Sequence, residues 1–220
     1  MNFIAKNFTE YQQLYKASTD NPEQFWNDFA QAEFTWKKSW DKVLSWDFKQ
    51  AEVKWFEGAE LNITENCLDR HLATIGDKTA IIWEPNDPNE ASKQFTYKQL
   101  HAEVAQFANT LKRLGVQKGD RVCIYLPMIP ELAIATLACA RIGAIHSIVF
   151  AGFSAQSLKD RINDSHCKII LTADAGFRGD RITPLKTIVD EALEDCPTIE
   201  HCLVVNRTNS AITMGPKDKW

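Results

Sequence analysis

Glycine is scarce in this chain, with nine among 220 residues. Neither G-x-G-x-x-G nor G-x-x-x-x-G-K-[ST] occurs, which removes the dinucleotide fingerprint and the P-loop from consideration. Residues 151–154 carry the single Gly152, too little to cradle a triphosphate. A G-x-S-x-G nucleophile elbow fails because Gln156 stands where its second glycine belongs. Ser154 reads instead as the N-cap of a helix, with Ser157 in its first turn. No C-x-x-C pair exists among the six cysteines, and the five histidines are not clustered with them, so nothing suggests a metal site. No apolar run approaches membrane-spanning length, and the first residues lack the charged-then-apolar pattern of a secretory signal. With a net charge of -4 and no basic stripe, nucleic acid is not an expected partner. These absences leave the cytoplasm as the expected location, where Cys123, Cys139 and Cys202 would act as small hydrophobes in apolar runs.

What remains is ordinary globular material, 45% hydrophobic and 25% charged. Residues 1–78 read as a helical and extended cap. Phe25 and Phe29, then Trp36 and Trp40, recur at helical spacing, and Asn21-Pro22-Glu23 has the form of a helix start. The part up to about residue 47, without a sheet of its own, is expected to pack as a lid on a larger body. Trp46, Trp55 and Trp83 read as packing aromatics. From residue 79 strands and helices alternate. Strands are expected at residues 79–83, 119–126, 145–150, 168–172 and 201–205, with residues 84–93 as a loop. Helices are expected from residue 97 to Gly115, where Leu100, Val104, Phe107, Ala108 and Leu111 share one face, and from Pro130 to Gly143. Two more fall at residues 155–164 and 185–193. This alternation predicts an α/β fold with a mostly parallel, doubly wound sheet behind the N-terminal helical cap. Residues 206–219 read as a polar, low-complexity end. His146 reads as a hydrogen-bonded core histidine, and His71, with Asp69 and Arg70, as part of a salt-bridged helix surface.

The strongest functional signal is Arg178-Gly179-Asp180-Arg181, directly after the predicted strand at residues 168–172. Loops leaving the C-terminal ends of parallel strands are where open α/β sheets bind ligands. Guanidinium groups held there are forks shaped for phosphate oxygens. On the spacing alone, two solvated charges or partners for Asp174 and Asp180 are the more ordinary reading.

Two further segments settle how this turn is read. Residues 55–72 (Trp-Phe-Glu-Gly-Ala-Glu-Leu-Asn-Ile-Thr-Glu-Asn-Cys-Leu-Asp-Arg-His-Leu) closely resemble the N-terminal signature of the AMP-forming acetyl-coenzyme A synthetases. Residues 137–154, ending in Phe150-Ala151-Gly152-Phe153-Ser154, resemble a second motif of that family. Its phosphate-contacting turn, followed by Pro-Leu-Lys, is matched by residues 178–181 and Pro184-Leu185-Lys186. The resemblance runs from about residue 25 to 207. It implies that residues 79–220 are the first part of the AMP-binding α/β domain, incomplete at its C-terminus, within an adenylate-forming enzyme. It also implies ATP, coenzyme A and Mg2+ as cofactors, acetate as small-molecule substrate, and the remainder of the same polypeptide as partner. In that family the ATP loop, the metal carboxylate and the catalytic lysine lie beyond the region covered here. Arg178, Gly179, Asp180 and Arg181 are therefore the expected coenzyme A contacts, and the segment alone is expected to be inactive. One residue departs from the pattern: Asp180 replaces a small neutral residue. Its carboxylate either pre-organises the arginines as an ion pair or repels the ligand. Propionate and acetoacetate ligases fit the same residues, and a non-catalytic α/β ligand- or partner-binding module is the alternative of another class.

Overall fold

The structure, a computed structural model, describes residues 3–220. One compact unit ends at Asn66 and the other runs Cys67–Trp220. In the first, α1 (Phe8–Asp20) and α2 (Pro22–Glu33) are each capped by an asparagine side chain, Asn7 and Asn21, with Pro22 in the first turn of α2. The strands β1 (Lys42–Asp47) and β2 (Glu52–Glu57) then pair antiparallel. The expected lid thus has a small sheet of its own, closed by the turn around Asp47, whose carboxylate accepts from the backbone N–H of Lys49. Its centre is aromatic. Trp36 and Trp40 lie 5.1 Å apart, and Phe56 sits 5.0 Å from Trp40. Both indoles are satisfied, Trp36 by the Ala30 carbonyl and Trp40 by Asn27. Trp46 is not a packing residue, because it lies on the solvated face of β1 and is exposed.

After the short α3 (Ile63–Cys67), a 3-10 turn and α4 (Leu72–Ile75), the second unit opens with β3 (Thr79–Trp83) and β4 (Lys93–Thr96). These form an antiparallel hairpin outside the main sheet, so the predicted strand at residues 79–83 belongs to a local ladder. Thr96 then caps α5 (Tyr97–Arg113) in a full capping box with Gln99. The buried face of α5 is Leu100, Val104, Ala108 and Leu111, the periodicity anticipated. There follow β5 (Arg121–Ile124), α6 (Pro130–Ile142), β6 (Ile145–Ile148), α7 (Ala155–Ser165) and β7 (Ile169–Ala173). Next come β8 (Gly176–Arg178), β9 (Arg181–Thr183), α8 (Leu185–Leu193), β10 (His201–Val205) and β11 (Asp218–Lys219). Gly143 ends α6 in the left-handed conformation at φ 73°, and Ser154 caps α7 by accepting from the Ser157 N–H.

Five strands form one parallel sheet in the order β11-β10-β7-β5-β6. The connection from β5 through α6 to β6 runs one way along the sheet. Those from β6 through α7 to β7, and from β7 through α8 to β10, run the other way. Right-handed crossovers then put α6 on one face and α7 and α8 on the opposite one, in keeping with the packing of α5 on α6 and of α7 on α8. The point where the direction reverses lies between β5 and β7, both buried through their lengths apart from Arg121 at the start of β5. His146 departs from its sequence reading: β6 is an edge strand, and the imidazole is exposed. The polar end is also more ordered than its composition suggests, since β11 pairs with β10 and buries Asp218.

Candidate functional site

The cleft forms where doubly wound sheets leave one, outside the carboxyl ends of the strands at the switch point. The segment after β5 contributes Pro127, Met128 and Ile129, and the segment after β6 contributes Phe150, Ala151 and Gly152. The β8–β9 hairpin after β7 adds Phe177 and Arg178, and the end of β10 adds Arg207. Trp83 closes the remaining side. The volume is about 340 Å³, within the range of small-molecule sites.

Backbone geometry explains the floor. Tyr125 is fully buried, and its hydroxyl donates to the Phe153 carbonyl at 2.7 Å, tying β5 to the turn after β6. Burial raises the phenol pKa and keeps it a neutral donor. A Cβ at Gly176 would sit 3.2 Å from Pro127, a tight contact, so glycine eases the close approach of the hairpin to the neighbouring loop. At Gly152 a Cβ would meet the Phe150 ring at 2.5 Å, and the missing side chain gives that ring its place. Phe150 and Met128 are nevertheless 60% and 80% exposed. Large apolar side chains presented together at a cleft rim are the kind of surface a ligand covers.

The arginine turn is a two-residue hairpin. Register pairs Gly176 with Thr183, Phe177 with Ile182 and Arg178 with Arg181. Gly179 holds φ 57° at the first central position, as a primed hairpin turn requires. The Gly179 carbonyl accepts from Asn86 Nδ2 at 2.9 Å, which anchors the tip to the β3–β4 loop. Arg178, Asp180 and Arg181 are all exposed, and neither arginine takes part in an ion pair among the described residues. The two carboxylates named as possible partners are thereby accounted for. Asp180 makes no ion pair, and Asp174 is 1% exposed and committed elsewhere. Its oxygens accept from the backbone N–H groups of Arg207, Thr208 and Ser210 at 2.8–3.1 Å and from the Thr208 hydroxyl at 2.8 Å. Burial pushes the Asp174 pKa up, but these donors outweigh it and hold the carboxyl below its ordinary value.

Lys186 does not reach the cleft. It is buried in the first turn of α8, paired with Asp190 and, at 2.8 Å, with Asp218. Asp69 likewise has a structural partner in Arg141, with His101 at 3.3 Å, rather than a helix-surface network with His71. His71 instead packs 5.2 Å from the Tyr97 ring. Among the described residues no group of three or more His, Cys, Asp or Glu stands together as a metal site.

Sequence reasoning brought Arg178 to the cleft but missed Phe150, Gly152, Trp83, Phe177 and Arg207. The available signal was topological. Phe150-Ala151-Gly152 follows a parallel strand just as Arg178 does, and strand ends converge at the switch point.

Fold and cleft together define a doubly wound α/β domain with an open cleft at the switch point of its sheet. The AMP-binding enzyme family matches residues 68–219, and the acetyl-coenzyme A synthetase N-terminus matches residues 11–67. The chain belongs to the AMP-binding enzyme family. It is 52% identical over 216 residues to an acetyl-coenzyme A synthetase of Magnetococcus marinus, covering 97% of this chain and 33% of that protein. It is 55% identical over 211 residues to one of Alkalilimnicola ehrlichii, covering 96% and 33%. The acetoacetyl-CoA synthetase structure from Streptomyces lividans superposes with a TM-score of 0.85 at 28% identity, covering 94% of this chain and 32% of that one. The chain thus spans about a third of the length of the curated relatives it matches.

Proposed function

We propose that this chain is part of an acetate–CoA ligase and that it supplies one wall of the coenzyme A site. In the reaction proposed, an acetate oxygen attacks the α-phosphorus of ATP, releasing pyrophosphate and forming acetyl-adenylate. The coenzyme A thiol then attacks the acetyl carbonyl and AMP departs. The observation that carries the coenzyme A assignment is Arg178, exposed and without an ion-pair partner among the described residues, on the wall of a cleft at the sheet's switch point. Two guanidinium groups on one hairpin, beside exposed aromatic and thioether side chains, suit a ligand that joins phosphates to a flat ring. Relatives at about half identity bear the name acetyl-coenzyme A synthetase, which favours acetate over the acetoacetate of the structural neighbour at 28%.

Magnesium is an expected cofactor of the whole reaction, and among the described residues no group of three or more His, Cys, Asp or Glu stands together to hold it. By itself the segment is expected to be inactive, contributing scaffold and phosphate contacts. No helix among the described residues is long and apolar enough to cross a membrane, and all six cysteines are free thiols, five of them buried. Both observations favour the proposed cytoplasmic location.

The test is a titration of the 220-residue chain, followed by backbone amide shifts. Coenzyme A should move the amides of residues 176–183 and 150–153, and dephospho-coenzyme A should bind more weakly. Shifts distributed without regard to this cleft, or equal binding of acetate and coenzyme A, would reject the assignment.

A further inference from the structure

Arg207, at the end of β10, lies in the cleft wall, but its charge is already matched. Its Nη2 donates to Glu90 Oε2 at 2.6 Å, and the side chain is only 15% exposed. The guanidinium also lies 5.1 Å from the Trp83 ring centroid and 5.2 Å from that of Phe177. Both distances fall inside the roughly 6 Å reach of a cation–π contact. One flat cation is therefore in contact with two rings from different elements and is held by a carboxylate from the β3–β4 loop.

Those rings matter because of where they belong. Phe177 is in β8, next to Arg178. Trp83 ends β3, and its indole N–H donates to the Met128 carbonyl at 2.8 Å, fixing it to the segment after β5. The β8–β9 hairpin itself has three residue pairs and joins no larger sheet. A two-stranded ladder of that size is marginal alone, so its position depends on contacts made outside the ladder. Asn86 at the tip and Arg207 at the base supply them.

We propose that Arg207 is a positioning residue: its guanidinium, neutralised by Glu90, clamps Phe177 against the Trp83 wall and thereby holds Arg178 and Arg181 where a phosphate is bound. This rests on the reading that the hairpin receives the phosphates of coenzyme A. It acts through shape and order, not by adding a third free charge. Lysine cannot replace it, because a point charge on a flexible stem lacks the flat face that both rings contact. Glu90 has a defined role in the same device, and its removal distinguishes a clamp from a direct phosphate ligand at Arg207. A direct phosphate contact would gain from losing the competing carboxylate, whereas a clamp would lose its anchor.

The experiment compares the 220-residue chain with its R207M, R207K and E90Q variants by 15N relaxation without ligand, then by titration with coenzyme A at two salt concentrations. The expected result is a fall in order parameters for residues 177–182, from about 0.85 to below about 0.6, in both Arg207 variants. Amides of β5, β7 and β10 should keep their order. Coenzyme A affinity should fall at least about tenfold in R207M and R207K, and should fall in E90Q with the salt dependence unchanged, since no phosphate contact is gained or lost. Retained hairpin order in either Arg207 variant overturns the proposal, as does loss of order throughout the sheet. Tighter binding by E90Q with a steeper salt dependence also overturns it, and makes Arg207 a direct phosphate ligand. If the hairpin loosens in R207M but the parent chain shows no coenzyme A binding, the positioning role stands and the ligand assignment falls.

Discussion

Arg178 and Arg181 face each other across the β8–β9 hairpin, and among the described residues neither has a carboxylate partner. Like charges directly opposite in an antiparallel pair are unfavourable. In the proposed reading, an anion bound at the hairpin relieves that repulsion. Arg178 lines the cleft and Arg181 does not, so the two should not contribute equally. R178A is expected to weaken coenzyme A binding by about 1.5–3 kcal/mol, the range for a hydrogen bond to a charged group. That is roughly a ten- to hundredfold loss. R181A should cost less, and calorimetric titration gives the order directly. Equal effects, or a loss shared by ATP and acetate in the whole enzyme, would point to a folding defect instead.

Asp180 presents the second case. It sits between the two arginines at the hairpin tip but makes no ion pair with either. Of the two roles open to it, pre-organisation requires a contact that is absent, which leaves repulsion of the ligand. D180A should therefore tighten coenzyme A binding, by about 0.2–1 kcal/mol at this exposure. The gain should shrink as ionic strength rises, because exposed charges are screened. A weaker-binding D180A would restore the pre-organising role.

Much of this architecture was legible because local signals agreed with one another. Pro130 and Gly143 bracket α6, Ser154 caps α7, and the face of α5 has a clean helical period. What escaped were pairings of three to six residues whose partners lie close in sequence, β1–β2, β3–β4 and β8–β9. Such short strands show no periodicity long enough to read. His146 was misread for another reason. An apolar strand looks buried in sequence, but burial depends on neighbours on both sides, and β6 has only β5. At the site, the arginine motif was visible because charge after an apolar run stands out. Arg207 was not, since its meaning comes from Trp83, Glu90 and Phe177, which lie 30 to 124 positions away.

Lys186 is 2% exposed and Asp218 5% exposed, 2.8 Å apart. This pair ties the last strand to α8, with Asp190 on the lysine's solvent side. Removing Lys186 leaves Asp218 as an uncompensated buried charge, which costs about 3–5 kcal/mol, whereas removing Asp218 leaves Lys186 paired with Asp190. K186M and D218N are each expected to lose stability in urea unfolding, K186M more, since it strands a carboxylate. The double variant should cost less than the sum, because the two share one interaction. Strict additivity would show that the pair is not coupled.

Three carboxylates set the acid limb of stability. Burial pushes the Asp69, Asp174 and Asp218 pKa values up, but in each case the donors prevail and the net shift is downward from 3.8. The donors are Arg141 with His101 for Asp69, the 207–210 backbone with Thr208 for Asp174, and Lys186 with the Gly215 N–H for Asp218. A carboxyl with a depressed folded pKa binds its proton first in the unfolded chain. Its contribution is therefore complete above the unfolded value near 3.8 and is lost as pH falls through the folded one. Lys186 has the opposite sign. Burial lowers its pKa, its two aspartates more than reverse this, and the net shift is upward from 10.5. Its contribution is intact below that value and is lost as pH rises through the folded pKa. Stability should be level across neutral pH, fall below about pH 4 and fall again in strong alkali. D174N should flatten the acid limb by up to about 1.4 kcal/mol per pH unit, the contribution of one proton. Urea midpoints between pH 2.5 and 7 measure this slope, and an unchanged slope in D174N would mean that the carboxylate titrates alike in both states.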